Sequence, residues 1–217
     1  MTHYSQVGET ANIMALAPVI PVLTVDSVED GLGQAKALVA GGLYAIEVTL
    51  RTPLALAAIK AISKSVPDAV IGAGTIVSVE QIDEAVAAGA RFLVSPGATT
   101  ALAKDAAQSP VPFLPGCATA SEAMALRELG FRALKLFPAE AVGGVRLLAS
   151  LAAPLSDLHF CPTGGIDQAK APEYLKLPNV ACVGGSWMLP KAALGRGDYA
   201  AVETLAREAA GLARAPA

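Results

Sequence analysis

Two ionisable side chains that could carry out catalysis lie inside apolar segments of this 217-residue chain. Lys135 is the only one of eight lysines in such a segment, where it precedes Leu136 and Phe137. Burial of a lysine favours the neutral amine, because desolvation penalises the charged form. A neutral amine can attack a ketone and form an imine. We therefore interpret Lys135 as a nucleophile, against the alternative that it extends from a strand end towards solvent.

A carboxylate and a guanidinium share one face of a second apolar segment. Side chains alternate between the two faces of a strand, so a strand over Ala45–Leu50 places Glu47, Thr49 and Arg51 on the same side. Glu47 is the only one of nineteen acidic residues within a predicted strand. We expect this polar face to point into the protein and to serve catalysis. The alternative is a structural ion pair between Glu47 and Arg51, or the exposed edge of a misassigned helix.

The elements that must position these side chains are eight strand-like segments, separated by alanine-rich segments that are typical of amphipathic helices. Asp26 and the capping box Thr119–Glu122 indicate helix starts. Eight alternations predict an α/β fold, a parallel (β/α)8 TIM barrel, with an open doubly wound sheet as the alternative. The dinucleotide fingerprint of such sheets is incomplete at residues 72–77. The predicted strands are Val19–Leu23, Ala45–Leu50, Val70–Ala73, Phe92–Ser95, Phe113–Cys117, Ala133–Phe137, Leu158–Cys161 and Val180–Gly184.

One domain is predicted over residues 1–217, because no linker or low-complexity segment divides the chain. An extra helix over residues 10–17 is predicted to close the N-terminal end of the barrel, after a frayed segment over residues 1–9. Hydrophobic residues make up 53% of the chain and charged residues 16%. This composition predicts a large core and some surface buried in an oligomer.

Composition and patterning also argue against several partners. No apolar run approaches the roughly 18 residues that cross a bilayer, and the polar N-terminus lacks a signal-peptide pattern. Both features predict a cytoplasmic protein without membrane contact. The net charge is −3 and no basic stripe is present, which argues against nucleic acid.

The cysteines and histidines do not form a metal-binding or hydrolase motif. Cys117, Cys161 and Cys182 each lie in an apolar segment, and their spacing matches no zinc motif. His3 and His159 are isolated from one another in the sequence. We therefore predict buried, reduced thiols, no metal site and no Ser-His-Asp triad.

Two glycine pairs follow the last two predicted strands, within Pro162–Gly165 and Gly184–Ser186. The loops after strands seven and eight of such barrels often bind phosphate, and glycine lets backbone N–H groups approach an anion. The pairs therefore predict a phosphate site, and the alternative is two turns that need positive φ. Thr75 follows the third strand, where its hydroxyl is predicted to contact substrate at the pocket mouth.

Several segments resemble the 2-keto-3-deoxy-6-phosphogluconate (KDPG) aldolase family, which also acts on 4-hydroxy-2-oxoglutarate (KHG). The most specific are E-V-T-L-R at 47–51, K-L-F-P-A-E at 135–140 and P-T-G-G-I at 162–166. The resemblance extends from about residue 18 to about residue 200 in the same order. The positions that would carry chemistry show no departure from the family pattern. The matching pieces also include residues 41–52, 72–75, 94–97, 114–116 and 184–187.

The resemblance implies a homotrimer and a class I aldolase that needs neither a cofactor nor a metal. The implied substrate is a phosphorylated 2-keto acid, KDPG, which is cleaved to pyruvate and glyceraldehyde 3-phosphate; KHG would give pyruvate and glyoxylate. Lys135 would form the Schiff base, Glu47 would act as general acid and base, and Arg51 would recognise the carboxylate. Thr75 would contact the pyruvate end and Pro96 would form a pocket wall. The residues implied at the phosphate or distal hydroxyl are Thr163, Gly164, Gly165, Gly185 and Ser186.

Two other functions suit the same barrel. A metal-dependent lyase or a phosphosugar isomerase would need a cluster of His, Asp or Glu that the sequence does not indicate. A non-catalytic protein that binds a phosphorylated metabolite would not need both Lys135 and Glu47.

Overall fold

The computed structural model describes residues 3–215, and eight parallel strands form the centre of this described part. Each strand is short and apolar, and helices return the chain to the start of the next one, which makes neighbouring strands parallel. The strands are β1 (Val19–Leu23), β2 (Ala45–Thr49), β3 (Val70–Gly74), β4 (Phe92–Val94), β5 (Phe113–Leu114 and Gly116–Cys117), β6 (Ala133–Leu136), β7 (His159–Pro162) and β8 (Val183–Gly185).

Backbone pairing closes these strands into a ring. The order β5-β4-β3-β2-β1-β8 forms one continuous sheet, and the second half of β5 pairs with β6, which pairs with β7. The two groups join within β5 at Pro115. They also join between β7 and the last strand region, through the bridges Phe160↔Val180 and Thr163↔Gly184. The predicted (β/α)8 barrel is confirmed, and the open doubly wound sheet is wrong.

Only the first predicted strand, Val19–Leu23, is unchanged, and the other seven are shifted at an end or interrupted. Pro115 divides the predicted strand over 113–117, because proline has no amide N–H to donate to a neighbouring strand. The Gly116 N–H donates to the Ser95 hydroxyl instead, at 3.1 Å. β7 ends at Pro162 rather than Cys161, and β8 begins only at Val183.

Helices surround the barrel and connect its strands. The predicted capping box is present at the start of α6, where Thr119 and Glu122 bind each other's backbone N–H groups. The predicted cap Asp26 is wrong, because the Ser27 hydroxyl accepts from the Asp30 N–H in the first turn of α2, at 3.0 Å. The helices are α1 (His3–Ala15), α2 (Val28–Ala40), α3 (Ala55–Ser65), α4 (Val79–Ala88), α5 (Thr100–Ala106), α6 (Ala120–Glu128), α7 (Gly144–Ala152), α8 (Ala171–Leu175), α9 (Lys191–Leu194) and α10 (Tyr199–Ala210).

The extra N-terminal helix is longer than the sequence predicts. It begins at His3 rather than Thr10 and ends at Ala15 rather than Ala17, so most of the predicted frayed segment has helical backbone. Met1 and Thr2 lie outside the described residues. Among residues 3–215, no helix is long and apolar enough to cross a membrane.

Apolar side chains fill the N-terminal end of the barrel interior. Met14 of α1 is buried in one cluster with Ala45, Phe92 and Ala133, which are the first residues of β2, β4 and β6. A larger cluster lies outside the ring, between the strands and the helices, and includes Ile46. The polar side chains of the strands are therefore left for the C-terminal end of the barrel, which is where such folds place their active sites.

Candidate active site

A buried ion pair spans the barrel interior. Lys135 on β6 lies with its Nζ 3.1 Å from Oε1 and 3.3 Å from Oε2 of Glu47 on β2. The two residues are only 4% and 3% exposed. Lys135 therefore does not extend into solvent, and the ion pair of Glu47 is with Lys135 rather than with Arg51.

Gly74 on the neighbouring strand makes room for the carboxylate. A Cβ atom at this position would lie 2.1 Å from Oε1 of Glu47, far inside contact distance. Gly74 pairs in register with Thr49, which is two residues after Glu47 on β2. Any residue larger than glycine would push the carboxylate away from the amine. In the sequence, Gly74 is notable only as part of the matching piece over residues 72–75, and no local pattern indicates which side chain it accommodates.

Lys135 lies beside an aromatic ring and a glycine of the neighbouring strand. Gly116 is its register partner on β5, and the Phe137 ring centroid lies 5.5 Å from Nζ. Pro96 packs directly against Gly116, since a Cβ there would lie 2.3 Å from the Pro96 backbone. Pro96 therefore contacts the glycine of β5 that pairs with Lys135.

Arg51 and Thr75 meet beyond the ends of β2 and β3. The Arg51 Nε donates to the Thr75 hydroxyl at 3.2 Å, and the guanidinium is exposed to solvent. Thr75 has a φ of 63°, a left-handed conformation that is unusual for a β-branched residue. Such strain persists where surrounding structure enforces it, and it is common at functional sites. Thr49, by contrast, is fully buried and donates to the Leu23 carbonyl at 2.8 Å, which is a structural role.

The two glycine loops lie side by side at the same end of the barrel. Thr163 bridges to Gly184, where a Cβ would lie 2.2 Å from the Thr163 hydroxyl. Gly164 and Gly165 have φ values of 106° and 78°, so the turn does require glycine. Successive residues of this kind can turn their N–H groups towards one point and form an anion site. The remaining residues predicted at the phosphate are the buried Gly185 and the exposed Ser186.

The three cysteines are buried among the strands, and Cys161 is the register partner of Lys135 on β7. Cys117, Cys161 and Cys182 are buried free thiols, and burial raises the pKa of the Cys117 thiol to about 12. Within the described part of the chain, no group of three His, Cys, Asp or Glu side chains could hold a metal ion.

One polar cluster beside the glycine loops was not predicted from the sequence. The Glu140 carboxylate accepts hydrogen bonds from Tyr174 and from Lys170, which lies at the start of α8. Glu140 was visible only as the last residue of the K-L-F-P-A-E segment. Its partners Lys170 and Tyr174 lie 30 and 34 residues away in sequence, and no local pattern connects them.

The arrangement can perform covalent chemistry on a carbonyl compound. An amine and a carboxylate in contact can transfer a proton, after which the amine is a nucleophile. A guanidinium at the mouth can bind a carboxylate, and the glycine loops offer backbone N–H groups to an anion. The pocket therefore suits a 2-oxo acid with a second anionic group.

Comparison with known proteins gives consistent matches over most of the chain. A family model described as KDPG and KHG aldolase matches residues 10–205. The KHG/KDPG aldolase of Escherichia coli (strain K12) is 48% identical over 198 residues, which cover 91% of this chain and 93% of that protein.

Solved structures agree with these sequence matches. KDPG aldolase from Legionella pneumophila, with pyruvate captured at low pH as a covalent carbinolamine intermediate, is 42% identical, with a TM-score of 0.91, and covers 93% of this chain and 98% of its own. The aldolase of Zymomonas mobilis ZM4 with 3-phosphoglycerate is 47% identical, with a TM-score of 0.92, and covers 96% of this chain and 98% of its own.

Gly74→Ala tests the steric basis of the ion pair. The added Cβ would overlap the Glu47 carboxylate, so we expect the free energy of unfolding to fall by about 1–3 kcal/mol, as for other overpacked interiors. Urea denaturation would measure it. Gly211→Ala is the matched control, because its Cβ would meet no atom closer than 3.5 Å. Equal stability of the two variants would contradict the packing described here.

Proposed function

This chain belongs to the KDPG and KHG aldolase family, and we propose on that basis that it is a class I aldolase. It reversibly cleaves 2-dehydro-3-deoxy-6-phosphogluconate to pyruvate and glyceraldehyde 3-phosphate. The observation that carries the proposal is the contact of 3.1 Å between Lys135 Nζ and Glu47 Oε1 inside the barrel. The covalent pyruvate intermediate of the Legionella relative supports the same chemistry.

Imine formation is the first part of the proposed reaction. The substrate carboxylate pairs with Arg51, and Thr75 and Pro96 border the pyruvate end. Glu47 accepts a proton from Lys135, and the neutral amine adds to the C2 carbonyl to form a carbinolamine. Loss of water, with a proton supplied by Glu47, then gives the protonated imine. This cation withdraws electrons from the neighbouring carbon–carbon bond.

Bond cleavage uses the same carboxylate a second time. Glu47, acting through a water molecule, removes the proton of the C4 hydroxyl. The C3–C4 bond breaks, its electron pair moves to the imine nitrogen, and the aldehyde leaves. The remaining enamine takes a proton at C3, and hydrolysis of the new imine releases pyruvate and the free amine. One buried carboxylate can serve all these transfers, because every proton that Glu47 accepts is donated again in the step that follows.

The glycine loops are proposed to bind the far end of the substrate. Thr163 would contact the distal hydroxyl, and the backbone around Gly164, Gly165 and Gly185, with the Ser186 hydroxyl, would bind the phosphate. The Zymomonas relative, solved with 3-phosphoglycerate, supports a phosphorylated acid as a ligand. Anchoring the phosphate orients the scissile bond over the amine.

The shorter aldol KHG is a second proposed substrate, cleaved to pyruvate and glyoxylate. It would present the same 2-oxo acid end to Arg51 and Lys135. The name of the Escherichia coli relative, a KHG/KDPG aldolase, supports this activity.

The proposal also includes a single domain that works as a cytoplasmic homotrimer. Three apolar side chains near the C-terminal ends of β2 and β3 support an interface between copies, because they are exposed in the isolated chain. Leu54, Val77 and Val79 are 42%, 59% and 37% exposed. Light scattering of the purified protein would measure the mass, and a monomer would contradict the assembly.

Borohydride trapping tests the imine. With pyruvate present, reduction should add one pyruvyl group per chain, and peptide mapping should locate it on Lys135. The Lys135→Met variant should take up none, while Lys104→Met, which alters an exposed lysine on α5, should be labelled like the wild type. An unlabelled wild-type protein would rule out the class I mechanism.

Glu47→Gln tests the acid–base role. The amide keeps the size of the side chain but cannot accept a proton, so we expect kcat to fall about 10²–10⁴-fold, the usual contribution of a general base. Steady-state kinetics of KDPG cleavage would measure it, with Glu84→Gln on the exposed face of α4 as control. A change in KM alone would make Glu47 a binding residue.

A further inference from the structure

A cluster of three polar side chains lies beneath the loop after β7, and the proposed mechanism assigns it no role. The Lys170 Nζ lies 2.9 Å from Oε2 of Glu140, and the Tyr174 hydroxyl donates to the other carboxylate oxygen. Glu140 begins a short 3-10 helix after β6, whereas Lys170 and Tyr174 belong to the α8 region. The cluster therefore ties together the segments that follow β6 and β7.

This cluster touches the glycine loop directly. The Lys170 Nζ also donates to the Gly165 carbonyl at 2.9 Å. The two preceding carbonyls of the loop, of Thr163 and Gly164, accept from the backbone N–H groups of Ala139 and Glu140 at 2.8 and 3.1 Å. The carbonyls of Thr163, Gly164 and Gly165 thus all accept hydrogen bonds on the side of the loop that faces Glu140. Lys170 donates the last of these hydrogen bonds.

The amide groups of the same loop remain available. Among the described residues, no acceptor receives the N–H of Gly165 or of Ile166. Since the carbonyls are held on one side, these amides are free to bind an anion. The Gly165 carbonyl shares its peptide plane with the Ile166 N–H, so the Lys170 contact fixes the direction of the Ile166 N–H.

The cluster also determines the net charge beside the glycine loop. Glu140 packs against the loop so closely that a Cβ at Gly165 would lie 2.7 Å from its Cγ. The hydrogen bonds from Tyr174 and then from Lys170 lower the pKa of Glu140, so its carboxylate is ionised at neutral pH. An unpaired carboxylate here would repel a phosphate, and the Lys170 ammonium cancels its charge.

Stability alone does not account for this arrangement. The Lys170 and Glu140 side chains are 44% and 36% exposed. Ion pairs at such exposure contribute little to folding, because water screens the charges and both side chains lose conformational freedom. This ion pair differs from an ordinary surface pair, because its lysine also binds the Gly165 carbonyl and so holds the loop.

We propose that Lys170 is a positioning residue that makes this loop selective for substrates with a distal phosphate, by holding the Gly165 carbonyl and neutralising Glu140. The inference rests on the proposed function, in which the loop binds the phosphate end of the aldol. Lys170 acts through the loop and through Glu140.

Lys170→Met tests the inference with KDPG and with the same aldol lacking its phosphate. We expect KM for KDPG to rise about tenfold, as for one partly screened charge near the site, with kcat changed less than about twofold. The kcat/KM for the unphosphorylated aldol should stay unchanged. Lys176→Met, an exposed lysine at the other end of α8, is the matched control and should behave as wild type.

Two further variants separate positioning from general damage. Lys170→Arg should restore KM for KDPG, because the guanidinium can donate to both Glu140 and the Gly165 carbonyl. Glu140→Gln added to Lys170→Met should recover part of the loss, because it removes the uncompensated charge. Equal losses for both aldols, or no recovery in either variant, would overturn the inference.

The two proposals fail in distinguishable ways. If the wild type cleaves both aldols and is trapped with pyruvate, but Lys170→Met keeps its KM for KDPG, only the inference about Lys170 is wrong. If the wild type neither cleaves an aldol nor forms the pyruvate adduct, the proposed function itself is wrong.

Discussion

The buried contact between Lys135 and Glu47 is the constraint on which the rest of the site depends. Removing an ammonium and a carboxylate from water is costly, and leaving either one unpaired inside a barrel would cost more. Placing the two groups on strands of a closed ring keeps them at hydrogen-bond distance. A site built on strands also holds its geometry more closely than one built on loops. Proton transfer between the groups then needs no large movement.

Space for the polar interior comes from glycines on neighbouring strands. Gly74 lies against Glu47 and Gly184 against Thr163, each closer than a Cβ would allow. These residues have ordinary strand conformations, so their value is close approach rather than flexibility. At Gly164 and Gly165 the reason is different, because positive φ turns successive peptide groups in the loop. Glycine thus has two separate uses at the same end of the barrel.

Much of the fold and part of the site could be predicted from local patterns. Alternation along Ala45–Thr49 placed Glu47 inside, and the unusual apolar surroundings of Lys135 marked it as buried. Two of the wrong predictions lie at positions where a backbone N–H group decides the local structure. Pro115 interrupts β5 because it has no N–H, and Ser27 caps α2 in place of Asp26 because its hydroxyl reaches the Asp30 N–H.

The sequence by itself determined which side chains face inwards and how many strand–helix units the chain forms, because both follow from periodicity within short segments. Only the tertiary structure decided that Glu47 pairs with Lys135, 88 residues away, rather than with Arg51, which follows the same strand. It also decided that Lys170 and Glu140 meet beneath Gly165. Periodicity specifies a face, whereas distances across a ring depend on strand register and curvature, and these arise only when all eight strands close.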